Sequence, residues 1–370
     1  MENENKTYRM IISGGGTGGH IYPAIAIAHA WSQRYPGTDI LFVGAEGKME
    51  MQKVPEAGYK IVGLPIAGLQ RSLSLKNLSF PFKVLSSLKK SKEIIRSFLP
   101  DLVVGVGGYA SGPILFTAQQ MGIPTLIQEQ NSYAGLTNKL LAKKAKAICV
   151  AYPGMEKFFP KDRLHYTGNP VRSDILDLEG KKEIGIAHFG LNPDLPTLLV
   201  LGGSLGARTI NQAIAASMGL FQAKGYQVLW QTGRYYFNDM KNLVASSGFK
   251  EIHPKEFILE MDLAYAVADL VISRAGALSV SELSLVGKPV IFIPSPNVAE
   301  DHQTKNAMAF FSEAAALILP DDEAVEKLPE LVDKLMSDKA TRHSLGENIK
   351  KLAKKEAANE IVTVLESMIK

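Results

Sequence analysis

The sequence predicts an α/β protein made of two doubly wound parallel-sheet lobes, and three observations lead there. Short apolar, β-branched runs alternate with longer amphipathic ones along the chain, as in parallel sheets covered by helices on both faces. A strand followed by a glycine-rich turn opens the chain over residues 10–19, and the same device returns over 197–207, so each copy starts a sheet of its own. The chain has 370 residues, more than one hydrophobic core ordinarily serves.

In chain order, strands are expected over residues 10–13, 40–43, 102–106, 125–128, 147–150, 197–201, 227–231, 270–273 and 289–293. Helices are expected between them, for example over 23–34, 209–220 and 280–286. Thr167-Gly168-Asn169-Pro170-Val171-Arg172 reads as a linker, because Gly and Pro break structure and no periodic pattern crosses it. The expected domains are therefore 1–168 and 169–345. A helical tail rich in Lys and Glu follows, and residues 346–370 are expected to pack back toward the first lobe.

Composition excludes several classes. A net charge of +4 is too small to point to nucleic acid. Residues 1–9 are polar and are no signal peptide. No apolar run approaches the roughly 18–20 residues of a spanning helix, so a cytoplasmic protein is expected. The single cysteine, Cys149, cannot form an intramolecular disulfide and sits in the apolar run Ala147-Ile148-Cys149-Val150, which reads as a buried thiol.

The glycine-rich turns carry the chemistry. In Ser13-Gly14-Gly15-Gly16-Thr17-Gly18-Gly19-His20, the glycines at 14, 16 and 19 have dinucleotide-loop spacing between a strand and a helix. Glycines let the backbone approach an anion, and the helix start offers N–H groups and partial positive charge. A packing turn would use the same residues. His20, at the mouth of that helix, is either a cap or a titratable base or anion ligand. The second turn is Gly202-Gly203-Ser204-Leu205-Gly206-Ala207-Arg208, where Ser204 can donate to a phosphate. In a third segment, Arg274 to Glu282, the N–H groups of Ala277, Leu278 and Ser279 open a helix. Glu282 either closes a capping box with Ser279 or accepts from ribose hydroxyls. Gly105-Val106-Gly107-Gly108 and Glu129-Gln130-Asn131 also follow strands, at the carboxyl ends where such sheets bind ligands.

These motifs, followed by Glu300-Asp301-His302-Gln303-Thr304-Lys305-Asn306-Ala307, stand in an order that resembles the MurG family. Its members are peripheral membrane N-acetylglucosaminyltransferases that convert lipid I to lipid II in peptidoglycan synthesis. The match runs from about Arg9 to the final helices. It implies a GT-B fold, with two Rossmann-like lobes and a cleft between them. Residues 1–168 would bind acceptor and membrane, and 169–345 the donor UDP-GlcNAc. By motif match, the donor contacts fall on Thr17, Gly18, Gly19, Asn131, Arg172, Ser204, Ile258, Ala277, Leu278, Ser279, Val280, Ser281, Glu282 and Gln303. The family is often quoted with two adjacent glutamines where this chain has His302-Gln303, and only Gln303 is carried over.

The implied reaction is an inverting displacement by the 4-hydroxyl of the N-acetylmuramoyl unit of lipid I (undecaprenyl-pyrophosphoryl-MurNAc-pentapeptide), with UDP leaving. His20 is the expected base, because imidazole titrates near neutrality, and Glu129 is the alternative. The chain contains no Asp-x-Asp pair to hold a metal, so no metal and no cofactor are expected, and helix N-termini with Arg172 would carry the leaving charge. Residues 70–96 hold seven basic residues and one acidic one, a net +6, interspersed with leucines and phenylalanines. That mixture suits an anionic bilayer, each basic residue adding about 1 kcal/mol near it. A solvated helix with an inward apolar side is the competing account. The resemblance therefore implies a peripheral protein on the cytoplasmic face of the cell membrane, with other cell-wall synthesis proteins as partners. Three rival readings remain. Gly14-x-Gly16-x-x-Gly19 with Glu46 fits a nicotinamide-dependent dehydrogenase, a UDP-N-acetylglucosamine 2-epimerase would share fold and donor, and a sensor would bind without catalysis.

Overall fold

The fold is seen in a computed structural model, which describes residues 7–66, 80–171 and 175–369. The chain divides into two units, one of Met1–Arg172 with Glu356–Lys370, the other of Ser173–Lys355.

The first unit contains β1 (Arg9–Gly14), α1 (Gly18–Arg34), β2 (Asp39–Ala45), α2 (Glu50–Glu56), β3 (Lys60–Leu64) and α3 (Phe80–Phe98). Then come β4 (Leu102–Gly107), α4 (Ser111–Gln120), β5 (Thr125–Glu129), α5 (Leu136–Ala142), β6 (Ala147–Val150) and β7 (Leu164–Tyr166). The strands are paired in parallel in the order β3-β2-β1-β4-β5-β6-β7. β4, β5 and β6 are near-continuous apolar runs because helices cover both faces of the sheet.

The second unit repeats the scheme. It contains α6 (Lys181–Phe189), β8 (Thr197–Leu201), α7 (Arg208–Ala223), β9 (Gln227–Gln231), α8 (Phe237–Ser247), β10 (Ile252–Lys255), α9 (Met261–Val267) and β11 (Leu270–Ser273). These are followed by α10 (Ala277–Val286), β12 (Val290–Phe292), α11 (His302–Phe311), β13 (Leu317–Ile318), α12 (Ala324–Ser337) and α13 (Lys339–Lys351). Its strand order is β10-β9-β8-β11-β12-β13, again parallel. Each sheet starts in its middle and reverses direction, between β1 and β4 and between β8 and β11. Those reversals are the points at which doubly wound sheets bind ligands.

The predicted fold class is therefore observed, with two corrections to its elements. β3, β7, β10 and β13 were not among the predicted strands, and all four lie at sheet edges. α1 starts at Gly18 instead of 23. Its first turn closes when the N–H groups of His20 and Ile21 donate to Thr17 O, at 3.1 and 3.2 Å, so Pro23 lies inside the helix.

α14 (Ala357–Ile369) returns to the first unit. Ile361, Val362, Leu365 and Met368 join Ile27, Ala28 and Trp31 of α1 in one buried cluster. Tyr35 donates to Glu366 Oε1 at 2.7 Å, and Arg34 Nε lies 2.5 Å from the same oxygen. Burial and that carboxylate push the Tyr35 hydroxyl up to about 12.

Candidate active site

In the first unit the site is built where β1 ends. Thr17, extended at φ −146° and ψ 160°, precedes α1 and is exposed. His20 is half-buried, and its Nδ1 lies 3.0 Å from Gly15 O and 3.5 Å from Thr17 Oγ1. A carbonyl oxygen only accepts, so Nδ1 carries the hydrogen and Nε2 is the basic nitrogen. The glycines after β4 make this arrangement fit. A β-carbon on Gly107 would lie 2.6 Å from His20 Cδ2 and 2.8 Å from Nε2, and one on Gly108 would lie 2.4 Å from Gly15 O. Both glycines also have positive φ, +106° and +88°, which other residues resist.

Glu129 ends β5 with 2% of its surface exposed. Its Oε1 accepts from Asn131 N and Nδ2 at 3.2 and 3.4 Å, and its Oε2 accepts from Gly135 N and Asn138 Nδ2 at 3.0 and 2.8 Å. It anchors the loop that carries Asn131. Glu46 forms an ion pair with Lys90 at 2.8 Å, both side chains partly exposed.

In the second unit the predicted residues gather at the carboxyl ends of parallel strands. Ser204 follows β8 and is exposed, and its carbonyl accepts from Arg234 N at 3.1 Å. Ile258 follows β10, is buried, and donates its N–H to Gln231 Oε1 at 3.0 Å. Ala277, Leu278, Ser279, Val280, Ser281 and Glu282 form the start of α10 after β11. The N-cap is Gly276, which has no side chain to cap the turn. Ser279 thus lies inside the first turn and the Ser279–Glu282 capping box does not form. Glu282 Oε2 instead accepts from Tyr265 OH at 2.9 Å. Gln303, near the start of α11, accepts from Ser295 N at 2.9 Å. Arg172 lies outside the described residues.

A cavity of about 590 Å³ opens in this unit, lined by Gly206, Arg208, Tyr236, Arg274, Asn297 and Gln303 among others. Of the predicted site residues that are described, only Gln303 lines it. Arg274 is held by Asp321 and by the carbonyls of Ile293 and Pro294. Arg208 was legible as the end of the second glycine turn. Tyr236 and Asp321 come from distant segments and carry no local signal. In the first unit sequence reading also missed Glu50, which is 1% exposed and accepts from Gly16 N at 2.8 Å and from Ala45 N at 3.0 Å. Among the described residues no group of His, Cys, Asp and Glu side chains could hold a metal ion.

Two family profiles match the chain, the glycosyltransferase family 28 N-terminal domain over residues 10–150 and its C-terminal domain over 197–361. A UDP-N-acetylglucosamine–N-acetylmuramyl-(pentapeptide) pyrophosphoryl-undecaprenol N-acetylglucosamine transferase from Cytophaga hutchinsonii is 56% identical, over 97% of this chain and 96% of its own. A protein of the same name from Parabacteroides distasonis is 54% identical, over 98% and 99%. Among solved structures, Acinetobacter baumannii MurG aligns with a TM-score of 0.76 and 28% identity, over 98% of this chain and 100% of that one. A UDP-GlcNAc 2-epimerase from Neisseria meningitidis aligns at 0.68 with only 13% identity, a likeness of fold alone. Parallel lobes with glycine turns at their strand ends, two matching domain profiles and relatives identical at more than half of their positions agree: the chain belongs to glycosyltransferase family 28, among its pyrophosphoryl-undecaprenol N-acetylglucosamine transferases.

Proposed function

We propose that this chain is an inverting glycosyltransferase. It moves N-acetylglucosamine from UDP-GlcNAc to the 4-hydroxyl of the N-acetylmuramoyl unit of lipid I, giving lipid II for peptidoglycan synthesis. The observation that carries this reading is the identity of 54–56% over nearly the full length to relatives bearing that activity's name. The acceptor hydroxyl attacks the anomeric carbon, its proton passes to His20 Nε2, and the bond to UDP breaks. The Nδ1–H bond to Gly15 O supports His20 as base, because it leaves Nε2 as the accepting nitrogen. The four N–H groups on Glu129 support a positioning role for it. Thr17, Gly18, Gly19, Asn131, Arg172, Ser204, Ile258, Gln303 and the first turns of α10 through Glu282 contact the donor in this reading. The uncapped start of α10 meets its diphosphate, and Glu282 takes the ribose hydroxyls.

The protein acts as a peripheral enzyme on the cytoplasmic face of an anionic membrane. α3 supports this. It exposes Phe82 (74%) and Leu85 (64%) beside exposed Lys83, Lys89 and Lys92, yet buries Ser87 and Ser91, whose hydroxyls have no hydrogen-bond partner among the described residues. A helix surrounded only by water would place those residue types the other way round. Arg71, Lys76 and the leucines at 73, 75 and 78 of the same basic stretch lie outside the described residues. No described helix is long and apolar enough to cross a membrane. Other cell-wall synthesis proteins are its proposed partners.

The test is incubation with labelled UDP-GlcNAc and a short-chain lipid I analogue. A labelled disaccharide product supports the reading. Label found only as free sugar, as an epimer, or still on UDP would reject it.

A further inference from the structure

We propose that Glu50 is a positioning residue that raises the basicity of His20 through a single peptide group, an inference that rests on His20 being the base. The peptide joining Gly15 to Gly16 is a resonance-coupled unit. Its N–H donates to Glu50 Oε2 at 2.8 Å, and its C=O accepts from His20 Nδ1 at 3.0 Å. A carboxylate on the N–H side draws electron density toward the carbonyl oxygen, because hydrogen bonds in series polarise one another. A stronger acceptor at Nδ1–H holds the tautomer and stabilises the imidazolium that forms when Nε2 takes a proton. In hydrolase triads an acidic side chain does this by direct contact. Here one peptide bond stands between the carboxylate and the ring.

The surroundings of Glu50 are built for this contact. The side chain is 1% exposed, and its second oxygen accepts from Ala45 N at 3.0 Å. Two glycines give it room. A β-carbon on Gly15 would lie 2.2 Å from Oε1, and one on Gly44 would lie 2.6 Å from Cγ. Burial at this depth is costly for a carboxylate unless it is hydrogen-bonded, and one of its donors is the peptide that His20 holds. Besides Glu50, α2 carries Lys53 and Glu56, which pair with each other at 2.7 Å. α1 carries Tyr22, His29 (against Tyr59) and Arg34 (paired with Glu366), Tyr109 follows β4, and Glu129 ends β5. Tyr109 is 51% exposed, and Glu129 is spent on its own loop.

The experiment uses the full chain with 15N-labelled histidine and glycine, comparing wild type with E50Q, E50D and H20Q. The signal lost in H20Q identifies His20 among the seven histidines. In the wild type, the Gly16 amide and the His20 ring should titrate together, with His20 in the Nδ1–H tautomer. E50Q keeps the size and removes the charge. It should lower turnover about 10–100-fold with little change in KM for the donor, and move both the His20 titration and the acid limb of kcat to lower pH. E50D, which restores the charge, should move the titration back toward wild type. A slow H20Q beside an E50Q whose His20 titration and kcat profile match wild type would overturn the role of Glu50 alone. If the variants do not fold, a wild-type Gly16 amide indifferent to His20 protonation overturns it as well. An H20Q with wild-type turnover would instead remove the base assignment.

Discussion

At the scale of single residues, environment sorts groups that look alike in sequence. Cys149 is fully buried, and that burial pushes its thiol up to about 12. Thiolate is the reactive form. Iodoacetamide at pH 8 should therefore leave the native protein unlabelled and modify one thiol after unfolding; rapid native labelling, followed by mass spectrometry, would contradict the buried placement. His20 was visible in the sequence because it follows a glycine turn. His20→Ala should cut turnover about 10²–10⁴-fold with little change in donor affinity. His20→Gln should be nearly as slow, since an amide takes no proton near neutrality. Steady-state kinetics of the pair decides: a fast Gln variant means that the side chain only positions a substrate. Glu50 carried no signal at all. It stands in the polar stretch Glu46-Gly47-Lys48-Met49-Glu50, which reads as surface, and only the folding of α2 against β2 and the first loop buries it.

Elements show where local pattern is sufficient and where neighbours decide. Central strands bury both faces, so an apolar run announces them. Edge strands need not, and their sequences mix polar groups in: β3 begins with exposed Lys60, β10 contains His253 and Pro254, and β13 has two residues. That is why period and apolarity found the middle of each sheet and missed its edges. In α10 the sequence allowed Glu282 two roles, and the Gly276 cap removes one of them. Glu282→Ala should weaken UDP and UDP-GlcNAc alike by about 1.5–3 kcal/mol, the range for a lost hydrogen bond to a charged group. Titration calorimetry showing unchanged UDP affinity would reject the ribose role. For α3, replacing Lys83, Lys89, Lys90 and Lys92 together by Glu should release the protein from anionic vesicles while a soluble acceptor analogue is still used. Equal co-sedimentation of mutant and wild type would reject the membrane role.

For the whole molecule, the last helix ties the chain's end to its beginning. Glu366→Ala strips the acceptor from the partly exposed Tyr35 OH and the carboxylate from Arg34. Arg34 is half-exposed and its ion pair adds little. The loss should be about 0.5–1.5 kcal/mol in urea unfolding, the net worth of the lost hydrogen bond. In the wild type Tyr35 stays protonated to higher pH in the fold than in the unfolded chain. Its contribution should be complete below about pH 10, the ordinary tyrosine value, and fall away toward 12, which a pH series of unfolding curves would measure.

The sequence by itself determined the fold class, the two sheets and the order of the glycine turns. Each follows from local chemistry: a run of apolar residues makes a strand, and glycine permits a tight turn beside a helix start. Only the tertiary structure decided which groups meet at those turns. Gly107 makes way for His20, Gly15 for Glu50, and Asp321 reaches Arg274 across 47 positions of chain. Contacts of that kind depend on strand order and on distances of a few ångströms, which no local pattern encodes.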